Sequence, residues 1–155
     1  MMDIVRIQSL GVTEKTRILE LWNNEYPAQL AFESLIAFEN YLRVLSKPLH
    51  YIVVKNGNVV AWAFAFDRDG ERWFAIIVSN TIQHKGCGTA LLQKLKEDNP
   101  VLNGWVTDHN NYKKHNGDIY ISPIDFYLKS DFNICDGERL ETEKLSAAKI
   151  TWRTK

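Results

Sequence analysis

The chain has 155 residues, 45% hydrophobic and 25% charged, which is enough for one domain with a sizeable core. Lys+Arg and Asp+Glu stand at 19 each, so no net field selects nucleic acid or an anionic membrane as a partner. No apolar run reaches bilayer length, and "MMDIVRIQSL" lacks the apolar stretch of a signal peptide. Cys87 and Cys135 fall in no disulfide or metal-ligand spacing, so the expectation is a single cytoplasmic domain over residues 1–155 with no metal.

"DIVRIQSL" reads as a first strand broken by Gly11. Thr13 can cap a helix that places Ile18, Leu19 and Trp22 on one face and stops before Pro27. A second helix is predicted from Glu33 to Ser46, lined by Leu35, Phe38, Leu42 and Leu45 and closed by Pro48. "HYIVVK" then leads into Asn56-Gly57, a strong two-residue hairpin signal. "NVVAWAFAF" alternates strictly, with Trp62, Phe64 and Phe66 on one face and Ala61, Ala63 and Ala65 on the other. Asp69-Gly70 is a second hairpin turn, from which "RWFAIIV" returns.

Ala90, Leu91, Leu92 and Leu95 mark a third helix ending at Asn99-Pro100, followed by a short strand "GWVTD". "HNNYKKHNGDIY" is polar and reads as a loop, which also accounts for His109 and His115 without a metal. "SPID" opens a fourth helix, with Ser122 at the cap and Pro123 in the first turn. "FNICDGERLET" and "LSAAKITWRT" close the chain as strands. The order β-α-α-β-β-β-α-β-α-β-β describes an α/β fold with an antiparallel first half and a β-α-β crossover.

The chemistry concentrates in "VSNTIQHKGCGTALLQKL", where a strand passes through Gly86 and Gly88 into a helix. The first amides of such a helix lack intrahelical partners and its dipole favours negative charge, so the junction suits a phosphate. Gln83 adds donors and Lys85 a charge. The spacing is neither G-x-x-x-x-G-K-[ST] nor G-x-G-x-x-G, because Leu91 stands where a third glycine belongs.

Gln83-x-x-Gly86-x-Gly88, set after "IIV" and before "TALL", resembles motif A of the GNAT superfamily, the GCN5-related N-acetyltransferases. "SPIDFYLKSDF" is similar to that family's motif B, with Tyr127 at its tyrosine. The resemblance spans nearly the whole chain. It implies a central mixed, mostly antiparallel sheet of about seven strands flanked by about four helices. It also implies acetyl-CoA as co-substrate and an amine acceptor on a small molecule or peptide. By the same resemblance, Gln83, His84, Lys85, Gly86, Cys87, Gly88 and Thr89 would cradle the pyrophosphate. Ile77 and Val78 would bond pantetheine through their main chain where the fourth and fifth strands splay, and Tyr127 would face the sulfur.

The chain departs from the family pattern in having no carboxylate within "WFAIIVSN". A lysine-like amine must lose its proton at a cost of about 4–5 kcal/mol at neutral pH, whereas a thiol leaves with less help. Candidate bases are Asp108, at the end of the fifth strand, and Glu71, at the start of the fourth. Tyr127 is a weaker acid than the thiol, so its first role would be hydrogen-bond donation to developing thiolate. Cys87 reads as a small filler. Tyr26 and Phe32, with the aromatic residues of the third and fourth strands, are candidates for either an acceptor pocket or the core. The alternative to an enzyme is a non-catalytic CoA-binding or sensing module of the same fold. Homodimer formation through the C-terminal strands stays open.

Overall fold

The computed structural model describes residues 3–83 and 85–155. The strands are β1 (Val5–Ile7), β2 (Ser46–Lys55), β3 (Asn58–Arg68), β4 (Glu71–Val78), β5 (Val101–Val106), β6 (Asn133–Glu141) and β7 (Ser146–Arg153). The helices are α1 (Val12–Glu25), α2 (Leu35–Arg43), α3 (Cys87–Asp98) and α4 (Ile124–Lys129), with one 3-10 turn over Ala28–Leu30. They follow the order expected from the sequence. The strands form one seven-stranded sheet in the order β1-β2-β3-β4-β5-β7-β6. Only the β4–β5 neighbours run parallel.

Both hairpin turns carry positive φ at two consecutive residues, Asn56 with Gly57 and Asp69 with Gly70. That is the backbone a two-residue primed turn requires, and it locks β2, β3 and β4 in register. β3 is buried on both sides. Its Trp62, Phe64 and Phe66 pack with Ile18, Trp22 and Phe38 of α1 and α2. Its Ala61, Ala63 and Ala65 face Leu91, Leu92 and Leu95 of α3. Small residues on that side let the helix approach the sheet, while the aromatic side supplies about 1.5–3 kcal/mol for each fully buried large side chain.

Several boundaries move. α1 begins after Gly11, not at a Thr13 cap, because the Glu14 carboxylate accepts from the Gly11 amide at 2.7 Å. α2 stops at Arg43 and Ser46 already belongs to β2, so Pro48 lies within a strand. The missing Pro48 amide is tolerated at a register shift between Ser46 and Leu49. β5 begins earlier than "GWVTD", at Val101, and ends at Val106, leaving Thr107 and Asp108 beyond it. α4 starts at Ile124, whose amide is accepted by Ser122 Oγ at 3.2 Å.

His50 is buried beside Trp62, whose Nε1 donates to His50 Nδ1 at 3.0 Å. Burial pushes the imidazole down to about 4. The folded state therefore holds His50 neutral while the unfolded chain binds a proton near pH 6.5. The stability it confers is intact above pH 6.5 and falls as the pH drops from there toward 4. Between pH 7.5 and 5 the loss attributable to His50 is about 2 kcal/mol. Urea unfolding at both pH values should show wild type losing that much more than His50→Gln.

Candidate active site

The parallel contact between β4 and β5 is registered at one pair, Trp73 with Asn103. Asn103 fastens it, donating from Nδ2 to the Arg72 carbonyl at 3.1 Å. Beyond that pair the strands part. Trp73 and Trp105 stack across the opening at 5.1 Å. Gly104 is required in β5 because a Cβ there would lie 2.9 Å from Phe74 Cε1. The parting leaves the Ile76–Val78 edge of β4 facing a cavity in place of a strand.

That cavity, of about 570 Å³, runs from Ile76, Ile77 and Val78 to Gln83, Gly86, Cys87, Gly88 and Thr89, and is walled opposite by Ser122, Phe126 and Tyr127. Gly86 is the N-cap of α3, with φ 81° and ψ 5°. A Cβ on Gly86 would meet nothing within 4 Å, so the left-handed backbone, not space, calls for glycine. Gly88 faces the Phe126 ring, which an added Cβ would touch at 3.4 Å. The turn thus presents the free amides of a twelve-residue helix to the cavity. Gln83 Nε2 donates to the Val78 carbonyl at 3.0 Å, which ties the turn to the end of β4. Lys85 and Thr89 are exposed, and Cys87 is buried in the core with its thiol pushed up by burial, as a filler would be. His84 lies outside the described residues.

A second cavity of about 300 Å³ opens on the α1/α2 side of the sheet. Trp22, Tyr26, Tyr41, Phe64, Phe66, Trp73 and Trp105 form much of its wall, and Arg68 is its one charged residue among the described residues. Of the residues weighed between pocket and core, Tyr26, Phe64, Phe66 and Trp73 line this cavity, while Phe32 and the fully buried Trp62 pack behind it. Tyr26, Ile76, Tyr120, Pro123 and Tyr127 line both cavities and mark where they meet.

Tyr127 is 5% exposed and sits among Phe74, Phe126 and Phe132. Among the described residues its hydroxyl makes no hydrogen bond. Burial holds its phenol far above the ordinary tyrosine value. Tyr120 is pushed up to about 12 by the same cause. Thr107 Oγ1, in the wall of the smaller cavity, is buried without a hydrogen-bond partner.

The two carboxylates considered as bases are not brought to this place. Glu71 lies at the opposite end of β4 and accepts from Lys149 Nζ at 3.1 and 3.2 Å. Asp108 is exposed and takes both Nη groups of Arg139 at 2.7 and 3.2 Å, which holds its carboxyl below the usual range. Neither lines either of these two cavities. The carboxylate that does is Glu25, 7% exposed at the end of α1. It accepts from Lys114 Nζ at 2.9 Å and from the Asn80 amide at 3.0 Å. The sequence carries a signal for it, because Ile18, Trp22 and Glu25 stand at i, i+4 and i+7 and put an acid in line with an apolar stripe.

An open strand edge beside a left-handed glycine that enters a helix is the arrangement that the resemblance to the GNAT superfamily implies. A sequence model of the acetyltransferase (GNAT) family matches residues 15–100, more than half of the chain, and the chain belongs to that family. By that family it is an acetyltransferase. Among solved structures it is similar to an aminoglycoside 6'-N-acetyltransferase complexed with coenzyme A, at 14% identity over 98% of this chain and 97% of that one, with a TM-score of 0.73. An acyl-CoA N-acyltransferase from Pseudomonas aeruginosa gives 12% identity, 97% and 99% coverage and a TM-score of 0.71. The ribosomal-protein-S18-alanine N-acetyltransferase from Escherichia coli gives 17%, 97% and 94%, and 0.64. No curated protein matches the chain in sequence.

The Glu25–Lys114 pair is enclosed, with side chains 8% and 13% exposed. Lys114→Met should cost about 3 kcal/mol in urea unfolding, because it strands a buried carboxylate. Adding Glu25→Gln should recover part of that loss. Wild-type stability in Lys114→Met would show the pair to be energetically idle.

Proposed function

We propose that this protein moves the acetyl group of acetyl-CoA directly onto an amine of a small molecule or peptide. The pyrophosphate rests on the turn formed by Gln83, Lys85, Gly86, Cys87, Gly88 and Thr89. The pantetheine arm follows the main chain of Ile77 and Val78, and the amine arrives through the aromatic cavity. The observation that carries this reading is Tyr127, whose side chain lines both cavities at their junction and whose hydroxyl is unengaged among the described residues.

In the transfer a nitrogen–carbon bond forms, the carbon–sulfur bond breaks, sulfur departs as thiolate and the nitrogen sheds a proton. A phenol held above its ordinary value stays protonated, so Tyr127 donates a hydrogen bond to sulfur as charge develops there. The amine proton needs an acceptor, and no carboxylate among the described residues lines the aromatic cavity. Glu25, on the adjoining groove, is the group to receive it, through water, with Lys114 fixing its orientation. Glu71 and Asp108 are both committed to cations outside the cavities.

The deciding experiment is calorimetric titration of acetyl-CoA, CoA and dephospho-CoA into wild type and Gly86→Trp. A Cβ on Gly86 meets no atom within 4 Å, so the indole has open space, while the left-handed backbone there strains any side chain and the variant's fold is checked first. Saturable binding by wild type that falls more than tenfold in the folded variant supports the site, and no binding by folded wild type sinks it. Tyr127→Phe should lower kcat about 10–100-fold with little change in KM for acetyl-CoA. An unchanged kcat would remove Tyr127 from the chemistry.

A further inference from the structure

The aromatic cavity has an uneven distribution of polar groups. Its wall contains, among the described residues, no Asp, Glu, Lys or His. At one end, next to the CoA groove, stand Tyr127 and the unpartnered Thr107 hydroxyl. At the other stands Arg68, the last residue of β3 and exposed at the cavity mouth. Its guanidinium lies over the Phe66 ring, Cζ 4.8 Å from the centroid. Among the described residues that guanidinium has no ion pair or hydrogen bond, although Asp67 beside it is paired with Arg72. Its charge reaches into the cavity, because it pulls the Tyr41 phenol down against the larger upward effect of burial.

An aromatic pocket by itself would suit a cationic ligand, since ring faces attract cations. Here the fixed charge at the mouth has the wrong sign for that, and no acid among the described residues lines the cavity to offset it. A guanidinium stacked on a ring, with its donor edge unused, is instead arranged to take a carboxylate in a forked hydrogen bond. The spacing follows from the strands. Arg68 itself is in register with Glu71, but its guanidinium lies over Phe66, which is in register with Trp73, and Ile76, at the reacting end, lies three residues beyond Trp73 along β4. At about 3.3 Å per residue that is a span of about 10 Å.

We infer that the acceptor is an elongated molecule with its amine at Tyr127, an apolar middle against the rings, and a carboxylate about 10 Å away at Arg68. This rests on the reading of the aromatic cavity as the acceptor site of the proposed transferase.

The test uses three probes of equal length that differ in their end group: δ-phenylvalerate, δ-phenylvaleramide and the corresponding phenylpentylamine. Each is titrated calorimetrically into the full-length protein, with and without saturating CoA. The carboxylate should bind about tenfold more tightly than the amide, and the amine most weakly. Arg68→Gln should bring carboxylate and amide together, while Arg68→Lys should keep most of the difference. Tightest binding of the amine, a carboxylate preference that survives Arg68→Gln, or no binding of any probe by folded protein would each overturn the inference. Because the ratio is read in both conditions, a failure to bind CoA is seen separately and counts against the transferase reading alone.

Discussion

Everything chemical in this molecule depends on the release of one edge of β4. A strand inside a sheet normally has its amides and carbonyls paired on both sides, and an unpaired buried group costs free energy comparable to a lost hydrogen bond. Here the β4–β5 ladder is registered at Trp73 with Asn103 and then opens. The opening is held by side chains on both faces. Trp73 stacks on Trp105 on one, and Phe74 packs into the space left by Gly104 and against Tyr127 on the other. Exposed backbone groups on that edge are acceptable because a cavity lies beside them, and the same parting gives the two cavities a common boundary at Ile76 and Tyr127.

The features legible in the sequence were those written in local physics. Alternation in "NVVAWAFAF", the Asn-Gly and Asp-Gly turns and the glycines before "TALL" each state a backbone requirement within a few residues, and the structure places all of them as read. Boundaries that depended on competition between elements were not legible. The stretch from Val44 to Pro48 has enough apolar residues to extend α2, but pairing with β3 begins at Ser46 and claims it for the sheet. Likewise Thr13 is a good cap by type, yet Glu14 reaches the Gly11 amide first.

The site divides in the same way. Gln83, Gly86, Gly88 and Tyr127 are close in sequence to motifs that name them, and they border one groove. The acid nearest that groove could not be reached by proximity. Glu25 belongs to α1, Asn80 to the turn after β4 and Lys114 to a loop beyond β5, and only the folded chain brings them within 3.0 Å. Glu71 and Asp108, attractive because they flank the right strands, are drawn to Lys149 and Arg139, cations supplied by the C-terminal hairpin.

The polar segment from His109 to Tyr120 is a wall and not a mere connection. Lys113 gives its carbonyl to the Ala28 amide at 2.8 Å, and Lys114 gives its ammonium to Glu25. The segment closes on itself as Tyr120 donates to the Tyr112 carbonyl at 2.9 Å, while the Tyr112 hydroxyl accepts from the Ser146 amide at 2.8 Å. Such fastenings fix Tyr120, which borders both cavities and faces Tyr26 across their junction at 6.3 Å. A loop anchored to α1, to the sheet and to itself has little freedom to fold away from one cavity while staying over the other. The width of the larger groove and the shape of the aromatic pocket are therefore set together, and a residue change in this loop alters both.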